Sequence, residues 1–110
     1  MDDGYRISGK VEGWRRPPTG PGEPLSIIVP AYNEAARLPP LLRDLVSRFD
    51  PTTTEIIVVD DGSDDSTARV AGDGLASFPN HRIEVLPANR GKGAALRHGV
   101  RQSTSSQVVF

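Results

Sequence analysis

Three short stretches hold the residues whose types and spacing could do chemistry: 30–34 (Pro-Ala-Tyr-Asn-Glu), 60–65 (Asp-Asp-Gly-Ser-Asp-Asp) and 88–92 (Ala-Asn-Arg-Gly-Lys). Between them they offer an aromatic ring in Tyr32, carboxylates in Glu34, Asp60 and Asp61, and cations in flexible backbone at Arg90, Gly91, Lys92 and Gly93. A ring that stacks on a base, a carboxylate that accepts from an imide N–H or ribose hydroxyls, and cations beside exposed backbone N–H groups for a diphosphate together make a nucleotide site. Singly, each piece is ordinary. Tyr32 would serve equally to cover a sheet edge. Asp60 and Asp61 fit a turn, and Asp64 and Asp65 fit a helix cap. The run Arg90-Gly91-Lys92-Gly93 lacks the Gly-x4-Gly-Lys-Ser/Thr spacing of a nucleotide-hydrolase phosphate loop. His81 and His98 have no partners at metal-ligand spacing, so surface or helix-packing roles are expected of them.

Regular elements must bring these stretches together. Ile56, Ile57, Val58 and Val59 are four consecutive β-branched residues without polar alternation, which predicts a strand over 55–59 buried on both faces, the habit of a parallel sheet covered by helices. Residues 25–29 (Leu-Ser-Ile-Ile-Val) predict another such strand, stopped by Pro30 because proline cannot donate to a ladder. Leu38, Leu41, Leu42, Leu45, Val46 and Phe49 form one apolar stripe at helical spacing, in a helix that starts near Pro39 and ends at Asp50 and Pro51. A second helix is expected over 66–78, with Ala68, Ala71, Leu75 and Phe78 on one side and Gly72 and Gly74 weakening it. Residues 82–86 alternate, which suits a strand nearer a sheet edge; 91–102 follow as a third helix and 107–110 as a fourth strand. Helical crossovers between strands imply parallel pairing with right-handed connections, and ligands in such sheets sit outside the strands' carboxyl ends. All three stretches fall there.

Size and composition bound the possibilities. A chain of 110 residues suits one domain with a modest core. Its 13 Lys and Arg against 14 Asp and Glu give no overall attraction to nucleic acid or anionic lipid, so any such binding has to be local. Without cysteine there is no disulfide, thiolate site or thiol nucleophile. No apolar run approaches the ~18 residues of a membrane span, and residues 1–13 lack the apolar segment of a signal peptide. Nine of the first 24 residues are Gly or Pro, so 1–24 is expected to be a flexible leader, and Trp14 with Arg15 and Arg16 part of a solvated tail. The sequence closes at Phe110 on an apolar strand, and the expectation is a piece of a longer protein, only marginally stable alone.

Three runs, in this order, carry a resemblance: Ser-Ile-Ile-Val-Pro-Ala-Tyr-Asn-Glu at 26–34, Ile-Ile-Val-Val-Asp-Asp-Gly-Ser-Asp-Asp-Ser-Thr at 56–67, and Asn-Arg-Gly-Lys-Gly-Ala-Ala-Leu at 89–96. Residues 25–110 resemble the amino-terminal half of a family 2 glycosyltransferase, an inverting nucleotide-sugar enzyme of the A-type fold. With Arg37-Leu38-Pro39, the third run is most similar to polyprenyl-phosphate sugar synthases of the dolichyl-phosphate β-glucosyltransferase and mannosyltransferase type. The resemblance implies an α/β fold, an open, mainly parallel Rossmann-like sheet with helices on both faces, incomplete at its carboxyl end. It implies that Pro30, Ala31, Tyr32 and Glu34 line the nucleotide pocket, that Asp61, or failing it Asp60, accepts from the base beside Gly62, and that Arg90, Gly91 and Lys92 lie near the sugar diphosphate.

The family places an Asp-x-Asp metal site directly after the fourth strand. Catalytic residues and a divalent cation, Mg2+ or Mn2+, are therefore expected of the full-length protein beyond Phe110, and the piece alone is expected to be inactive. The implied donor is a UDP- or GDP-sugar and the implied acceptor a polyprenyl phosphate. Nucleic acid is not an implied partner. Membrane association would come through segments outside this sequence, and the location would be cytoplasmic, at the cytoplasmic face of a membrane. One departure from the family pattern is Thr104-Ser105-Ser106 before the last strand, where glycine is usual. The competing class is a nucleotide-binding module without catalysis; a dinucleotide oxidoreductase is disfavoured because no Gly-x-Gly-x-x-Gly follows the first strand.

Overall fold

The computed structural model describes residues 7–8, 24–105 and 107–109. Eight elements follow one another: β1 (Ile7–Ser8), β2 (Leu25–Ala31), α1 (Leu38–Arg48), β3 (Thr54–Asp60), α2 (Thr67–Gly74), β4 (His81–Val85), α3 (Lys92–Gln102) and β5 (Val108–Val109). They build one sheet in the order β1-β5-β2-β3-β4. β2 pairs in parallel with both β3 and β5, and β3 in parallel with β4. β1 alone is antiparallel, against β5.

The absence of alternation in β2 and β3 has a direct cause. Ile27, Val29, Ile56 and Val58 pack on one sheet face with Leu38, Leu42 and Leu45 of α1, Ala71 of α2, and Leu75 and Phe78 just after it. Ile28, Ile57 and Val59 pack on the other with Ala95 of α3. Helices thus cover both faces, and every residue of β3 is buried. β4, whose residues alternate in sequence, lies at the sheet edge and is only half-buried through most of its length.

Three local features differ from the sequence expectation, and a fourth gives the departure from the family pattern a structural role. Pro30 does not stop β2, which runs on to Ala31. In a parallel ladder, successive residues bond to opposite neighbours: Leu25 N–H donates to Thr53 O of the β3 side, and Ser26 N–H to Gln107 O of the β5 side. Pro30 shares the parity of Ser26, so its nitrogen faces the β5 side, where the described pairing reaches no further than Ile27 with Val109. Among the described residues no ladder bond is lost there. Second, α2 ends at Gly74 and not Phe78; Gly72 and Gly74 weaken the helical register, and the chain continues as tight turns with Phe78 N–H donating to Leu75 O. Third, Ile7 and Ser8 of the expected leader form a strand; the rest of that segment through Glu23 lies outside the described residues. Fourth, the turn before β5 uses Thr104 where a glycine was usual. Its N–H and hydroxyl both donate to the buried Glu55 carboxylate, at 3.1 and 3.2 Å, which also accepts from Ser26 Oγ at 2.7 Å.

Helix α3 approaches the sheet at its small residues. A Cβ added to Gly99 would stand 2.4 Å from Ile28 Cγ2 and 3.2 Å from Val59 Cγ2, whereas one added to Gly72 would meet nothing within 4 Å. Gly99→Ala should therefore lower stability by about 1–3 kcal/mol through overpacking, and Gly72→Ala should raise it by about 0.5–1 kcal/mol through helix propensity. Urea unfolding followed by circular dichroism measures both, and equal effects of the two substitutions would contradict this packing.

Candidate functional site

Where β2 and β3 end and α3 begins, the surface opens into a cleft of about 290 Å³. The end of β2 contributes Pro30 and Ala31, the turn after it Tyr32 and Glu34, the residue after β3 Asp61, the approach to α3 Asn89 and Gly91, and α3 itself Lys92 and Ala95. Tyr32, Asp61 and Lys92, far apart in the chain, thus border one space.

The first wall is welded to the second by hydrogen bonds across the two turns. Asn33, with φ of 53°, donates its N–H to Ser63 Oγ, and its own Oδ1 accepts from Asp64 N–H, both at 2.9 Å. Glu34 N–H donates to Thr67 Oγ1 at 2.9 Å and Ala35 N–H to Asp65 Oδ2 at 3.3 Å. Asp65 also accepts from the Thr67 hydroxyl and from Thr67 N–H. Those bonds, the Thr67 hydroxyl foremost, hold the Asp65 carboxyl below the usual carboxylate range. The residue at the helix cap, Ser66, makes no side-chain cap bond. The polar residues read as capping groups therefore join loop to loop, because α2 starts beside another turn and not in solvent.

The third wall hangs on Asp61. Its carboxylate is 3% exposed and accepts from two consecutive amides, Arg90 N–H at 2.9 Å and Gly91 N–H at 2.8 Å. Leu86 N–H donates to Asp60 O at 2.8 Å and starts the same approach. Gly62 permits the closeness: its φ is 71°, and a Cβ there would lie 2.5 Å from both Ala88 C and Asn89 N. Gly91, with φ of 99°, then turns the chain into α3. No side chain caps that helix, so the amides of its first turn remain beside the cleft, a ready place for an anion.

Of the residues singled out in sequence, Pro30, Ala31, Tyr32, Glu34, Asp61, Gly91 and Lys92 line the cleft. Asp60, Gly62 and Arg90 stand behind it. The buried Asp60 carboxylate accepts from Ser63 N–H at 2.9 Å and shapes its own turn. Gly62 provides the close approach, and Arg90 lends its backbone to Asp61 while its side chain is exposed. Glu34 borders the cleft with both oxygens held by the Arg37 guanidinium, at 2.6 and 2.9 Å, a fork that raises the Arg37 pKa. Asn89 and Ala95 were missed. Both lie inside the run 89–96, and only the entry angle of α3 tells which of its side chains border the cleft. His98 contacts Glu84 at 2.9 Å and His81 Nδ1 the Phe78 carbonyl at 2.6 Å, packing roles for both. Among the described residues, no three His, Asp or Glu side chains gather to hold a metal ion.

Comparison with known proteins returns one consistent picture. The sequence model of "Glycosyl transferase family 2" matches residues 26–110. The human dolichyl-phosphate beta-glucosyltransferase is 39% identical over 99 residues, covering 82% of this chain and 31% of that protein. Among solved structures, S. aureus TarS 1-349 in complex with UDP-GlcNAc superposes with a TM-score of 0.71 at 30% identity, over 77% of this chain and 25% of that one. The mannosyltransferase PcManGT from Pyrobaculum calidifontis in complex with GDP-Man and Mn2+ gives 0.63 at 28% identity, over 76% of this chain and 25% of that one. The chain thus spans about a third or less of the length of the proteins it matches.

Two outcomes follow from the geometry. Asp61→Asn leaves one oxygen for two amides; it should cost about 2 kcal/mol and speed hydrogen exchange at Arg90 and Gly91 by more than about tenfold, read by NMR on the labelled chain. Because its folded pKa is depressed, Asp65 contributes stability that is fully present above the ordinary carboxylate range and is lost as pH falls through its lower folded value. A carboxyl carbon titration should place Asp65 below the ordinary aspartate range; a midpoint within or above that range would count against the weld.

Proposed function

Since the chain belongs to glycosyl transferase family 2, we propose that its cleft holds a nucleoside-diphosphate sugar and that the longer protein passes the sugar to a polyprenyl phosphate with inversion at the anomeric carbon. The observation that carries this is the convergence of three distant turns on one cleft: a half-exposed ring, an anchored loop and the uncapped amino terminus of α3 beside Lys92. Tyr32 stacks on the base. The amides opening α3, with Lys92 and the Arg90 side chain, take the diphosphate. Asp61, the carboxylate of the pair that borders the cleft, accepts from the base through lone pairs its loop bonds leave free, since an ionised carboxylate has about four acceptor positions.

UDP and GDP are both compatible with these groups, and the UDP-GlcNAc and GDP-Man complexes of the structural neighbours support a donor of this kind. The name of the human relative supports the lipid phosphate acceptor. In the step itself, an acceptor phosphate oxygen bonds to the anomeric carbon from the face opposite the leaving group. The bond from that carbon to the diphosphate breaks, and its electron pair leaves with the nucleoside diphosphate. The acceptor is already anionic, so no proton has to be removed to start the reaction.

A divalent cation, Mg2+ or Mn2+, would stabilise the departing diphosphate. Among the described residues no three His, Asp or Glu side chains gather to make a site for it, and the Glu34 oxygens are paired with Arg37. The cation and the catalytic residues are thus assigned to the longer protein, at the cytoplasmic face of a membrane, and the 110-residue chain is a binding part without turnover.

Calorimetric titration of the chain with UDP and GDP tests the cleft. At least one should bind. Tyr32→Ala should weaken binding about tenfold or more, the scale of a lost base stack, and Lys92→Ala should weaken the diphosphate more than the nucleoside. No binding of either nucleotide would overturn the reading. For the complete reading frame, transfer is assayed from UDP-glucose, GDP-mannose and UDP-GlcNAc to polyprenyl phosphate with Mg2+ or Mn2+. Failure with all three removes the lipid-phosphate acceptor.

A further inference from the structure

The near-neutral chain hides a separation of charge. Residues 34–84 hold ten Asp and Glu against five Arg, while residues 85–110 hold four cations, Arg90, Lys92, Arg97 and Arg101, and no carboxylate side chain. Three of those five arginines are paired with a carboxylate one helical turn away: Arg37 with Glu34, Arg48 with Asp44 and Arg69 with Asp73. Among the described residues, no ion pair joins any of the four cations of the last stretch to a carboxylate. The acidic side chain facing α3 from β4 is Glu84, and it is engaged with His98.

The helix presents these charges on one side. Ala95 and Gly99 are buried against the sheet, and the opposite side shows Gly93, Arg97, Val100 and Arg101, all exposed. The Arg97 guanidinium folds back over the first turn, with Nη1 3.4 Å from where a Cβ on Gly93 would stand. Val100, 39% exposed, is an apolar contact among the arginines. A cationic strip with an apolar side chain and small residues, free of carboxylates, complements a plane of negative headgroups better than a folded protein surface of mixed charge.

We propose that the outer face of α3 docks on an anionic phospholipid bilayer through Arg97, Arg101 and Val100, with Arg90 and Lys92 at the same end as the cleft. The docking rests on charge and exposure and does not require the donor reading. If both hold, the cleft mouth lies close to the headgroups, where a lipid-borne phosphate is delivered while the donor arrives from water.

Flotation of the whole chain with vesicles tests it. The chain should float with phosphatidylcholine–phosphatidylserine vesicles, stay behind with phosphatidylcholine alone, and be released by high salt. Arg97→Gln with Arg101→Gln should weaken partitioning about 30-fold, at roughly 1 kcal/mol per cation. Arg97→Lys with Arg101→Lys should restore it, and Arg43→Gln with Arg69→Gln, on the helices of the other face, should leave it within about twofold. UDP and GDP titrations of the α3 variant should match the parent chain, which separates this surface from the cleft. No preference for the acidic vesicles, equal loss in both glutamine pairs, or binding to single-stranded RNA through the same arginines with none to vesicles would overturn the proposal.

Discussion

Two consecutive amide N–H groups bonded to one buried carboxylate fix the geometry on which the cleft depends. Asp61 directly follows strand β3, and the loop it grips leads directly into α3. A charged acceptor in a site this enclosed is costly unless its bonds are made, and the amides are costly unless their acceptor is present. Each side therefore holds the other in place. The loop consequently reaches α3 at one angle, with the helix amino terminus opening on the same space as Tyr32 and Glu34. The weld between the first two turns does the same for the opposite wall, through Asn33, Ser63, Asp65 and Thr67. Rigid walls of this kind reduce the ordering that ligand binding would otherwise require.

Much of the architecture is legible in residue order because burial on both faces leaves a strong mark. Ile56 to Val59 could not face water on either side, and the leucine stripe of α1 fits one face of a helix only. The same logic misled at Pro30. Proline forbids a ladder bond, but whether a bond is called for depends on which neighbour that residue faces, and that is fixed by pairing. Helix α2 ended early because its two glycines left little local preference for tertiary contacts to extend.

The candidate site was legible as a set of three stretches and illegible in its division of labour. Asp60 and Asp61 are adjacent and chemically identical, yet strand alternation turns one into its own turn and the other toward a loop some thirty residues away. Asp65 looks like a capping residue for α2 and does accept from Thr67, yet its other oxygen takes Ala35 N–H and the Thr67 hydroxyl takes Glu34 N–H, both from the turn after another strand. Glu34 looks like a free carboxylate until Arg37 is placed one helical turn further on. Contacts of this kind depend on how strands stack, which no local pattern encodes. The charge separation was present in the letters from the start; an average over the whole chain conceals it.

The two glycines of positive φ around the cleft are restricted for different reasons. At Gly62 both the backbone angle and the crowding by residues 88 and 89 exclude any side chain. At Gly91 the space beyond the α-carbon is empty within 4 Å, and the backbone angle alone excludes ordinary residues. The second restriction is thus one of handedness. A mirror-image alanine placed there by chemical synthesis would suit the angle that the natural enantiomer resists, and would stiffen the backbone at the point where α3 departs.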